Sequence, residues 1–487
     1  MKKTTIVVVG GGTGGALACG LLATGPGAKT RNIKSVRSLD IPIIGVGESS
    51  TPPFVMALNR MGIAKEFVES NACWPKYGVV FDGWADTPLI GGWPANGRRN
   101  EMITYLEGLT KGKTIARVGE QVLKGQMPYD KDTDNFYTNI AMHIDSTDTS
   151  EWIFDRFKDN IETIYGNVDE VVKGPKGIRP GKWLGVGIDH LIVDGEIVEG
   201  DYFLDCTGFS RRLIGELTTD FINSDIPTNS AVFGEIEKSD NVLNPMMTTA
   251  KTASAGWMWN IPLKDRFGSG YVYSEEFQTE EEAEIEFILA TGVDTASHIH
   301  YTPGWLKTPA VGNCFAIGLA AGFLDALDSP TIGLTATMIW TFMKQKEEPS
   351  IYNKYCVDTF TALEVYLLMH YRTCTRTDPF WLSFWHYTPK DLLKKFKDIC
   401  SSDDWDERNI SGTISSLSTR IISHRVKIDS DYATLIYNNI PEEDRKKAKE
   451  LWNNIEGKYV PFDHELFVRH VTDDAHMGSK IAKDNIQ

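Results

Sequence analysis

The sequence predicts an α/β fold, and three patterns along the chain carry this prediction. A β-branched run at residues 4–9 is followed by GGGTGG and then by the apolar stretch ALACGLLAT, which is the order strand, tight turn and helix. Asp194 and Gly195 separate two runs of alternating apolar residues, a pattern typical of a β-hairpin. From about residue 331 the apolar spacing becomes mainly helical and rich in aromatic residues. Together these patterns indicate a Rossmann-like nucleotide-binding lobe, an interleaved β-sheet lobe and a C-terminal helical module.

The length of the chain sets the number of lobes. Its 487 residues exceed one average domain, so we expect two or three. We place a discontinuous nucleotide-binding box at residues 1–350, with the β-rich lobe interleaved in it at about residues 85–310. The mainly helical module then occupies residues 351–487. Within these lobes, residues 54–70 are expected to be helical and residues 173–182 to form a loop.

Charge, cysteine content and hydropathy exclude several classes of partner and site. The formal net charge of −16 argues against a phosphate backbone or an anionic membrane surface, so we expect neither a nucleic-acid nor a membrane partner. No stretch is long and apolar enough to span a bilayer. The seven cysteines are scattered without a CxxC pair, which indicates reduced thiols and a cytoplasmic location. The ten histidines show no metal-ligand spacing, so we expect no metal site.

The glycine-rich turn after the first strand predicts a dinucleotide site. Gly10, Gly12 and Gly15 fit GxGxxG: the first permits the turn, the second lets the backbone approach a pyrophosphate, and the third allows close helix packing. The helix N-terminus then faces the phosphates. Arg37 stands where an acidic ribose ligand is usual, with Asp40 nearby, which argues against a plain NAD site.

Two later segments point to a flavin dinucleotide. Residues 201–211 place Asp205 and Gly208 at a strand end, and in two-lobed flavin enzymes such a strand returns to the dinucleotide. Residues 313–324 predict another strand, a glycine-rich turn and a helix start, an arrangement that suits the phosphate and ribityl region of a flavin. Three spaced elements that converge on one dinucleotide are far more specific than one glycine turn.

Lys76 is a residue that a flavin fold does not by itself require. It lies in NACWPKYGVVFDGW, residues 71–84, between a Trp-Pro pair and an apolar run. A water-poor setting favours the neutral amine, whose lone pair can act as a nucleophile, and the exclusion of water protects a reactive electrophile. The alternative interpretation is a surface lysine with a solvated ammonium.

Four segments resemble the flavin-dependent tryptophan halogenases, and the resemblance covers roughly residues 4–390. They are GGGTGG, the strap IPIIGVGESSTPP, the segment GWMWNIPL with the signature WxWxIP, and GLAAGFLDALDSPTIG. HYRTCTRTDPFW resembles the helical module of the same family. Divergent members encoded by bacteriophages are among the proteins that the chain resembles. The resemblance implies the two-lobed flavin monooxygenase type of fold and an enzyme, a flavin-dependent aromatic halogenase.

The resemblance implies FAD as the cofactor, together with a halide ion. Reduced FAD would come from a separate flavin reductase, because no NAD(P)H-binding feature stands out. The residues that are assigned to the flavin lie in the turns and the strap: Gly10, Gly12, Thr13, Gly14, Gly15, Gly45, Gly47, Glu48, Asp205, Gly208, Gly318, Leu319, Ala320 and Ile332.

The resemblance also implies the reaction. Reduced FAD, oxygen and a halide give hypohalous acid, which Lys76 carries to an electron-rich aromatic substrate for electrophilic halogenation. Asp328 stands at the position of the family's catalytic glutamate, with Ser329 beside it, although Asp328 also suits a helix N-cap. The halide site keeps Thr331 as a donor, but Pro330 has no N–H. We therefore expect bromide or iodide to be used at least as well as chloride.

Aromatic residues carry the remaining expectations. Trp257 and Trp259 are similar to the pair that separates the organic substrate from the flavin in this family, although both can also pack a strand. Trp381, Phe384 and Trp385 suit a pocket for an indole or a phenol. A homodimer is expected from the family alone. Two rivals stay open: a flavin-dependent aromatic hydroxylase, which needs no carrier lysine, and an FAD-binding protein without halogenase activity.

Overall fold

The chain forms two compact units, each assembled from three stretches of sequence. The computed structural model describes residues 3–43, 45, 47–70, 73–84, 89–92, 119–132, 134–136, 139–179, 182–238, 245–386, 442, 446 and 459–472. Unit 1 comprises residues 1–71, 144–224 and 301–361, and unit 2 comprises residues 72–143, 225–300 and 362–487. The predicted boundary between residues 350 and 351 lies inside a helix, Pro349–Thr373.

Helices and strands are numbered here in chain order. The α-helices that the structure describes from end to end are α1 (Thr13–Thr24), α2 (Pro52–Met61), α3 (Ala64–Ser70), α4 (Ser146–Arg156), α5 (Glu280–Thr291), α6 (Pro330–Gln345), α7 (Pro349–Thr373), α8 (Pro379–His386) and α9 (His464–Thr472). The strands of unit 1 and unit 2 together are β1 (Thr4–Val9), β2 (Arg31–Arg37), β3 (Glu48–Ser49), β4 (Trp74–Lys76), β5 (Gly78–Asp82), β6 (Leu89–Gly92), β7 (Gln126–Met127), β8 (Tyr129–Asp130), β9 (Asn135–Phe136), β10 (Ala141–Ile144), β11 (Glu162–Tyr165), β12 (Val168–Arg179), β13 (Lys182–Val193), β14 (Glu196–Glu199), β15 (Tyr202–Asp205), β16 (Phe221–Asn223), β17 (Ser230–Glu237), β18 (Thr248–Ala253), β19 (Gly256–Pro262), β20 (Arg266–Tyr273), β21 (Ser297–His300), β22 (Gly304–Leu306), β23 (Ala310–Val311), β24 (Cys314–Ala316), β25 (Gly322–Phe323) and β26 (Val460–Pro461).

Unit 1 is built on a sheet with the strand order β11-β2-β1-β15-β24-β23. Every neighbouring pair from β11 to β24 is parallel, and β23 adds an antiparallel edge. The central strand β1 is buried, and α1 packs against α2, α4 and α6. A parallel sheet that is reached through a glycine turn and a helix is the Rossmann-like arrangement, so the predicted fold class is confirmed.

The β-hairpin that Asp194 and Gly195 predict is confirmed, because they join β13 to β14 as an antiparallel pair. Both residues have positive φ, 46° and 84°, as a tight hairpin turn requires. The predicted loop at residues 173–182 is wrong: it belongs to the long antiparallel pair β12 and β13, with residues 180–181 outside the described part. The register shifts between Pro175 and Gly177, and this irregularity accommodates the residues that suggested a loop.

The helical predictions for unit 1 hold in part. Residues 54–70 are helical as predicted, but Gly62, at φ 74°, ends α2 before α3 begins. Residues 313–324 contain the predicted strand and turn, and the predicted helix start is one short 3₁₀-helix, Gly318–Ala320, not an α-helix. This turn leads into the short strand β25, and α6 begins only at Pro330.

Unit 2 contains a sheet with the strand order β21-β17-β20-β19-β18-β5-β6. Its pairs are antiparallel except β5 with β18. The short strand β4, just before β5, pairs with β10 instead. A C-terminal segment of unit 2 supports β4: the rings of Phe462 and Trp74 lie 4.7 Å apart, and His470 Nδ1 lies 3.1 Å from the Tyr77 hydroxyl.

Two expectations from composition concern the whole chain. The cysteines in the described part are free thiols, and Cys400 lies outside it. Within the same residues, no helix combines the length and the apolar character that crossing a membrane requires.

Candidate active site

The glycine turn of unit 1 is shaped by close backbone contacts. Gly10 has φ 130°, and a Cβ there would lie 2.3 Å from the carbonyl oxygen of Cys206. A Cβ on Gly15 would lie 2.0 Å from the carbonyl oxygen of Gly10, so α1 starts directly against the turn. Gly12 is different, because a Cβ there would meet no atom within 4 Å. Gly12 therefore presents open backbone at the N-terminus of α1, where no side chain caps the helix.

Three turns meet at one edge of this sheet. Val9 is in register with Asp205, and Asp205 with Ala316, so the turns after β1, β15 and β24 follow neighbouring strand ends. The structure thus brings Gly10, Gly208 and the later predicted residues of the third turn to the carboxyl edge, where open α/β sheets bind their ligands. The predicted flavin residues of these three turns share one location.

Asp205 organises the middle turn. Its side chain is fully buried, and its carboxylate accepts hydrogen bonds from the N–H and hydroxyl of Thr207 and from the N–H groups of Leu213 and Ile214, at 2.6–3.0 Å. Gly208 follows at φ 64°, with open space where a Cβ would be. The carboxylate holds the turn, and Gly208 is the part of it that leaves room for a ligand.

The strap and the first turn of α1 are tied to α4. Glu48 Oε2 accepts a hydrogen bond from the N–H of Ser146 at 2.8 Å, and a Cβ on Gly45 would lie 2.9 Å from Thr147 Oγ1. The hydroxyl of Thr13 lies 3.3 Å from that of Ser150. Of the predicted strap residues, Gly47 has φ 81° and Glu48 opens β3.

The third turn packs against the start of α6. Gly318 has φ 62°, and a Cβ there would lie 2.7 Å from Thr335 Oγ1. The carbonyl oxygen of Ala320 accepts a hydrogen bond from Arg211 Nε at 3.1 Å, and Leu319 between them is half-buried. Ile332, in the first turn of α6, is half-buried too. Gly14, on α1, would bring a Cβ to 3.6 Å from the same threonine.

Asp328 and Ser329 have an unusual backbone. Both are left-handed, at φ 61° and 57°, a conformation that costs a non-glycine residue about 1–3 kcal/mol and clusters at functional sites. Ser329, not Asp328, is the N-cap residue of α6, so the N-cap interpretation of Asp328 is wrong by one position. Asp328 is buried. Pro330 is the first helical residue, and Thr331 carries the first N–H of the helix.

Lys76 is fully buried in unit 2, so the surface interpretation is wrong. It ends β4, opposite Ala141 of β10. Tyr77 follows on the other face, and burial raises the pKa of its phenol far above the usual range. Lys76 and Tyr77 are both buried, so the lysine has the water-poor setting that its sequence neighbours indicate.

Sequence analysis missed two buried polar residues next to β4, His143 and Thr248. His143 lies on β10, and its Nε2 is 2.9 Å from the hydroxyl of Thr248 on β18. Both residues stand in segments whose sequence is typical of a β-strand and carries no functional motif. The signal that could have found them is a histidine in an otherwise apolar strand, AMHI, that pairs with the strand of the lysine.

Trp257 and Trp259 lie on the same face of β19, with ring centroids 6.2 Å apart. Trp257 Nε1 donates to the hydroxyl of Tyr371 at 3.1 Å, and that hydroxyl lies 3.3 Å from Thr228 Oγ1. Trp259 covers Gly270, where a Cβ would lie 2.1 Å from the indole ring. A hydrogen bond therefore fixes the indole of Trp257, and the indole of Trp259 packs directly on the backbone of Gly270.

The aromatic residues of the predicted pocket are only partly described. Trp381 is fully buried, donates its indole N–H to the carbonyl oxygen of Ala253 at 2.9 Å, and packs on Trp84 and Tyr371. It is a core residue, not an open pocket wall. The side chains of Phe384 and Trp385 lie outside the described part.

These features define two chemical capabilities. Unit 1 offers a glycine-lined, uncapped helix N-terminus that suits the pyrophosphate of a dinucleotide. Unit 2 offers a buried amine and fixed indoles that suit the handling of an electrophile near an aromatic ring. Among the described residues, no group of three or more histidine, cysteine, aspartate and glutamate side chains could hold a metal ion.

Known proteins resemble this chain over most of its length. The family model "Tryptophan halogenase" matches residues 5–104 and 115–477. Tryptophan 7-halogenase RebH of Lentzea aerocolonigenes is 26% identical over 427 residues, which cover 78% of each chain. Tryptophan 6-halogenase ThaL of Streptomyces albogriseolus is 28% identical over 434 residues, 77% of this chain and 78% of the relative. BrvH, a flavin-dependent halogenase from Brevundimonas, shares the fold with a TM-score of 0.75 at 21% identity, covering 97% of this chain and 100% of its own.

Proposed function

The chain belongs to the tryptophan halogenase family, and from this premise we propose that it is an FAD-dependent halogenase in which Lys76 carries oxidised halogen to a small electron-rich aromatic substrate. The observation that carries the proposal is the complete burial of the Lys76 amine in unit 2. A scaffold that only bound FAD would gain nothing from a buried lysine, because removing an ammonium from water is costly.

The residues of unit 1 fit an FAD pyrophosphate. The open backbone at Gly12 and the uncapped N-terminus of α1 supply N–H donors and a positive helix end, while Gly208 keeps the neighbouring turn open. When bound and reduced, FAD supplies the electrons with which oxygen is activated for the oxidation of halide to hypohalous acid. A separate flavin reductase would deliver the reduced form.

Lys76 then captures the halogen. The amine nitrogen bonds to halogen as the halogen–oxygen bond of hypohalous acid breaks, and water leaves. The aromatic ring takes the halogen from nitrogen, and the nitrogen takes up one proton and becomes the amine again. The ring proton passes to a carboxylate, for which we propose Asp328. The strained, left-handed backbone of Asp328 supports a functional assignment. We expect Asp328→Asn to make less haloarene than wild type while its output of hypohalous acid stays unchanged. The same amount of haloarene as wild type would contradict this assignment.

We also propose that bromide and iodide are used at least as well as chloride. Pro330 removes one N–H from the start of α6 and leaves Thr331 to supply the first. A lost donor weakens the retention of small, strongly hydrated chloride more than that of a larger halide. Equimolar halide competition tests this, and a strong chloride preference would overturn it. Pro330→Ala, which restores an N–H, should shift the product ratio towards chloride.

The decisive experiment is mass spectrometry of indoles, phenols and anilines incubated with protein, FAD, a flavin reductase, NADH, oxygen, bromide and catalase. We expect a bromine isotope pair in wild type that Lys76→Ala abolishes. Lys251→Ala, on an exposed position of β18, is the matched control and should behave like wild type. An isotope pair that is equal in wild type and Lys76→Ala would mean that leaked hypobromite reacts in solution. A product heavier by one oxygen would instead identify a hydroxylase.

A further inference from the structure

A buried polar pair lies beside the carrier lysine. In the antiparallel pair of β4 and β10, Ala141 is opposite Lys76 and His143 is opposite Trp74. Opposed residues of an antiparallel pair share a face, and so do residues two apart on one strand. Lys76 and His143 are therefore diagonal neighbours on the same face, and both side chains are fully buried.

A hydrogen bond to the neighbouring sheet holds His143. Its Nε2 lies 2.9 Å from Thr248 Oγ1, and this contact is buried. Thr248 begins β18 and is in register with Val79 of β5, the strand that follows Lys76 along the chain. The threonine is thus fixed to the same stretch of backbone that positions the lysine.

The electrostatics of His143 are coupled to the lysine. Burial holds the pKa of His143 well below its usual value, the positive charge of Lys76 lowers this pKa further, and a hydrogen bond with the backbone of Pro262 raises it. The nearby titratable groups on the chain of β4 are Cys73, whose pKa burial raises to about 12, and Tyr77, raised further still; both are neutral. Lys76 is thus the charge among the described residues that His143 responds to, and the resting imidazole is neutral.

We propose that His143, held by Thr248, is a positioning residue that takes up and returns one proton of Lys76 during the halogen cycle. The inference rests on the proposed function and deepens it. Two structural facts carry it: Lys76 and His143 are both fully buried on the shared face of β4 and β10, and a hydrogen bond fixes the imidazole there.

The proton balance shows why such a group is useful. The Lys76 ammonium has no lone pair, so it must first lose a proton, and the imidazole of His143 accepts that proton. The neutral amine then bonds to halogen as the halogen–oxygen bond breaks, and one amine proton completes water, which leaves the neutral haloamine. Returning that proton to nitrogen makes nitrogen a better leaving group as the aromatic carbon takes the halogen, so the ring is oxidised and the amine is regenerated.

The coupling favours this timing. Once Lys76 is a neutral haloamine, the positive charge that opposed protonation of His143 is gone. The larger cause, burial, remains, so the imidazolium stays a strong acid and gives the proton back readily.

The test separates loading of halogen from its transfer. Protein is loaded with reduced FAD, oxygen and bromide without arene, at pH 7 and pH 9, and small molecules are removed by gel filtration. An arene is then added and bromoarene is measured. The variants are His143→Gln and Thr248→Val, with Lys76→Ala as the blank. Thr252→Val is the matched control, because Thr252 lies on the same strand and face as Thr248 and both are 4% exposed. Circular dichroism and FAD titration verify the fold.

We expect His143→Gln to load at least about tenfold less halogen at pH 7, at unchanged output of scavenger-trapped hypobromous acid. Loading should recover towards wild type at pH 9, because solvent hydroxide then takes the proton. Thr248→Val should show a smaller loss with the same pH trend, and Thr252→Val none. A purely structural defect would lower loading at both pH values.

Three outcomes would overturn the inference. They are wild-type loading in His143→Gln at pH 7, equal losses at both pH values, and a wild-type protein that makes bromoarene in turnover but retains no halogen through gel filtration. If wild type makes no Lys76-dependent bromoarene in turnover, the proposed function itself fails and this inference falls with it. The turnover arm therefore distinguishes the two failures.

Discussion

Replacement by alanine should destabilise the protein strongly at Gly10 and only slightly at Gly12, two residues further along the same turn. Gly10→Ala places a Cβ 2.3 Å from the carbonyl oxygen of Cys206 at φ 130°. A strained backbone costs about 1–3 kcal/mol and overpacking about as much again, so we expect a loss of about 2–6 kcal/mol in the free energy of unfolding. Gly12→Ala meets no atom within 4 Å at φ −79°, so stability should fall by no more than about 1 kcal/mol.

Gly12→Ala, the substitution that costs little stability, should nevertheless weaken FAD binding strongly. The methyl group at position 12 fills the space through which backbone approaches the pyrophosphate, so the Kd for FAD in Gly12→Ala should rise at least about tenfold, equivalent to about 1.4 kcal/mol. Urea unfolding of the FAD-free protein and calorimetric titration with FAD measure the two quantities separately. Wild-type FAD affinity in a stably folded Gly12→Ala would refute the placement of the pyrophosphate.

Three further substitutions test the packing of the site. Gly270→Ala puts a Cβ 2.1 Å from the Trp259 ring and should cost about 1–3 kcal/mol in urea unfolding; if Trp259→Leu does not relieve that loss in the double variant, the clash is not its cause. Trp257→Phe removes the hydrogen bond to Tyr371 and should cost about 1–3 kcal/mol in the free energy of unfolding. The double variant with Tyr371→Phe should lose less than the sum of the two single losses, and strict additivity would argue against the bond. Asp205→Asn replaces an acceptor of several hydrogen bonds and should cost about 1–3 kcal/mol, so unchanged unfolding would contradict its role in the turn.

The local parts of this fold were readable from the sequence. The glycine turn was predictable because strand, turn and helix are contiguous and each glycine answers a local steric demand, as at Gly10. The turn at Asp194 was equally local. Residues 173–182 misled because glycine and proline usually end strands, whereas here register shifts in a long antiparallel pair absorb them. The N-cap at Ser329 differed from the sequence interpretation by one position, a distinction that only backbone dihedrals provide.

The position of His143 and Thr248 beside Lys76 could not be predicted from local sequence patterns. His143 and Thr248 are brought to the lysine by two separate strand pairings, and nothing in a single sequence fixes such registers. Family resemblance supplied Lys76 itself, because its neighbours stand in a recognisable segment. The residues that surround it depend on pairings across more than 60 positions of sequence and became visible only in the fold.

The support of β4 by the C-terminal segment has a consequence for the order of folding. Tyr77, next to Lys76, contacts His470 across 393 positions of sequence. Closing a loop of that length costs about 3 kcal/mol more than closing a loop of about ten residues, since each doubling adds about 0.6 kcal/mol. Contacts of such long range form late, after local pairings such as β13 with β14. We therefore expect the shelter around the Lys76 amine to be completed after local elements such as the β13–β14 hairpin.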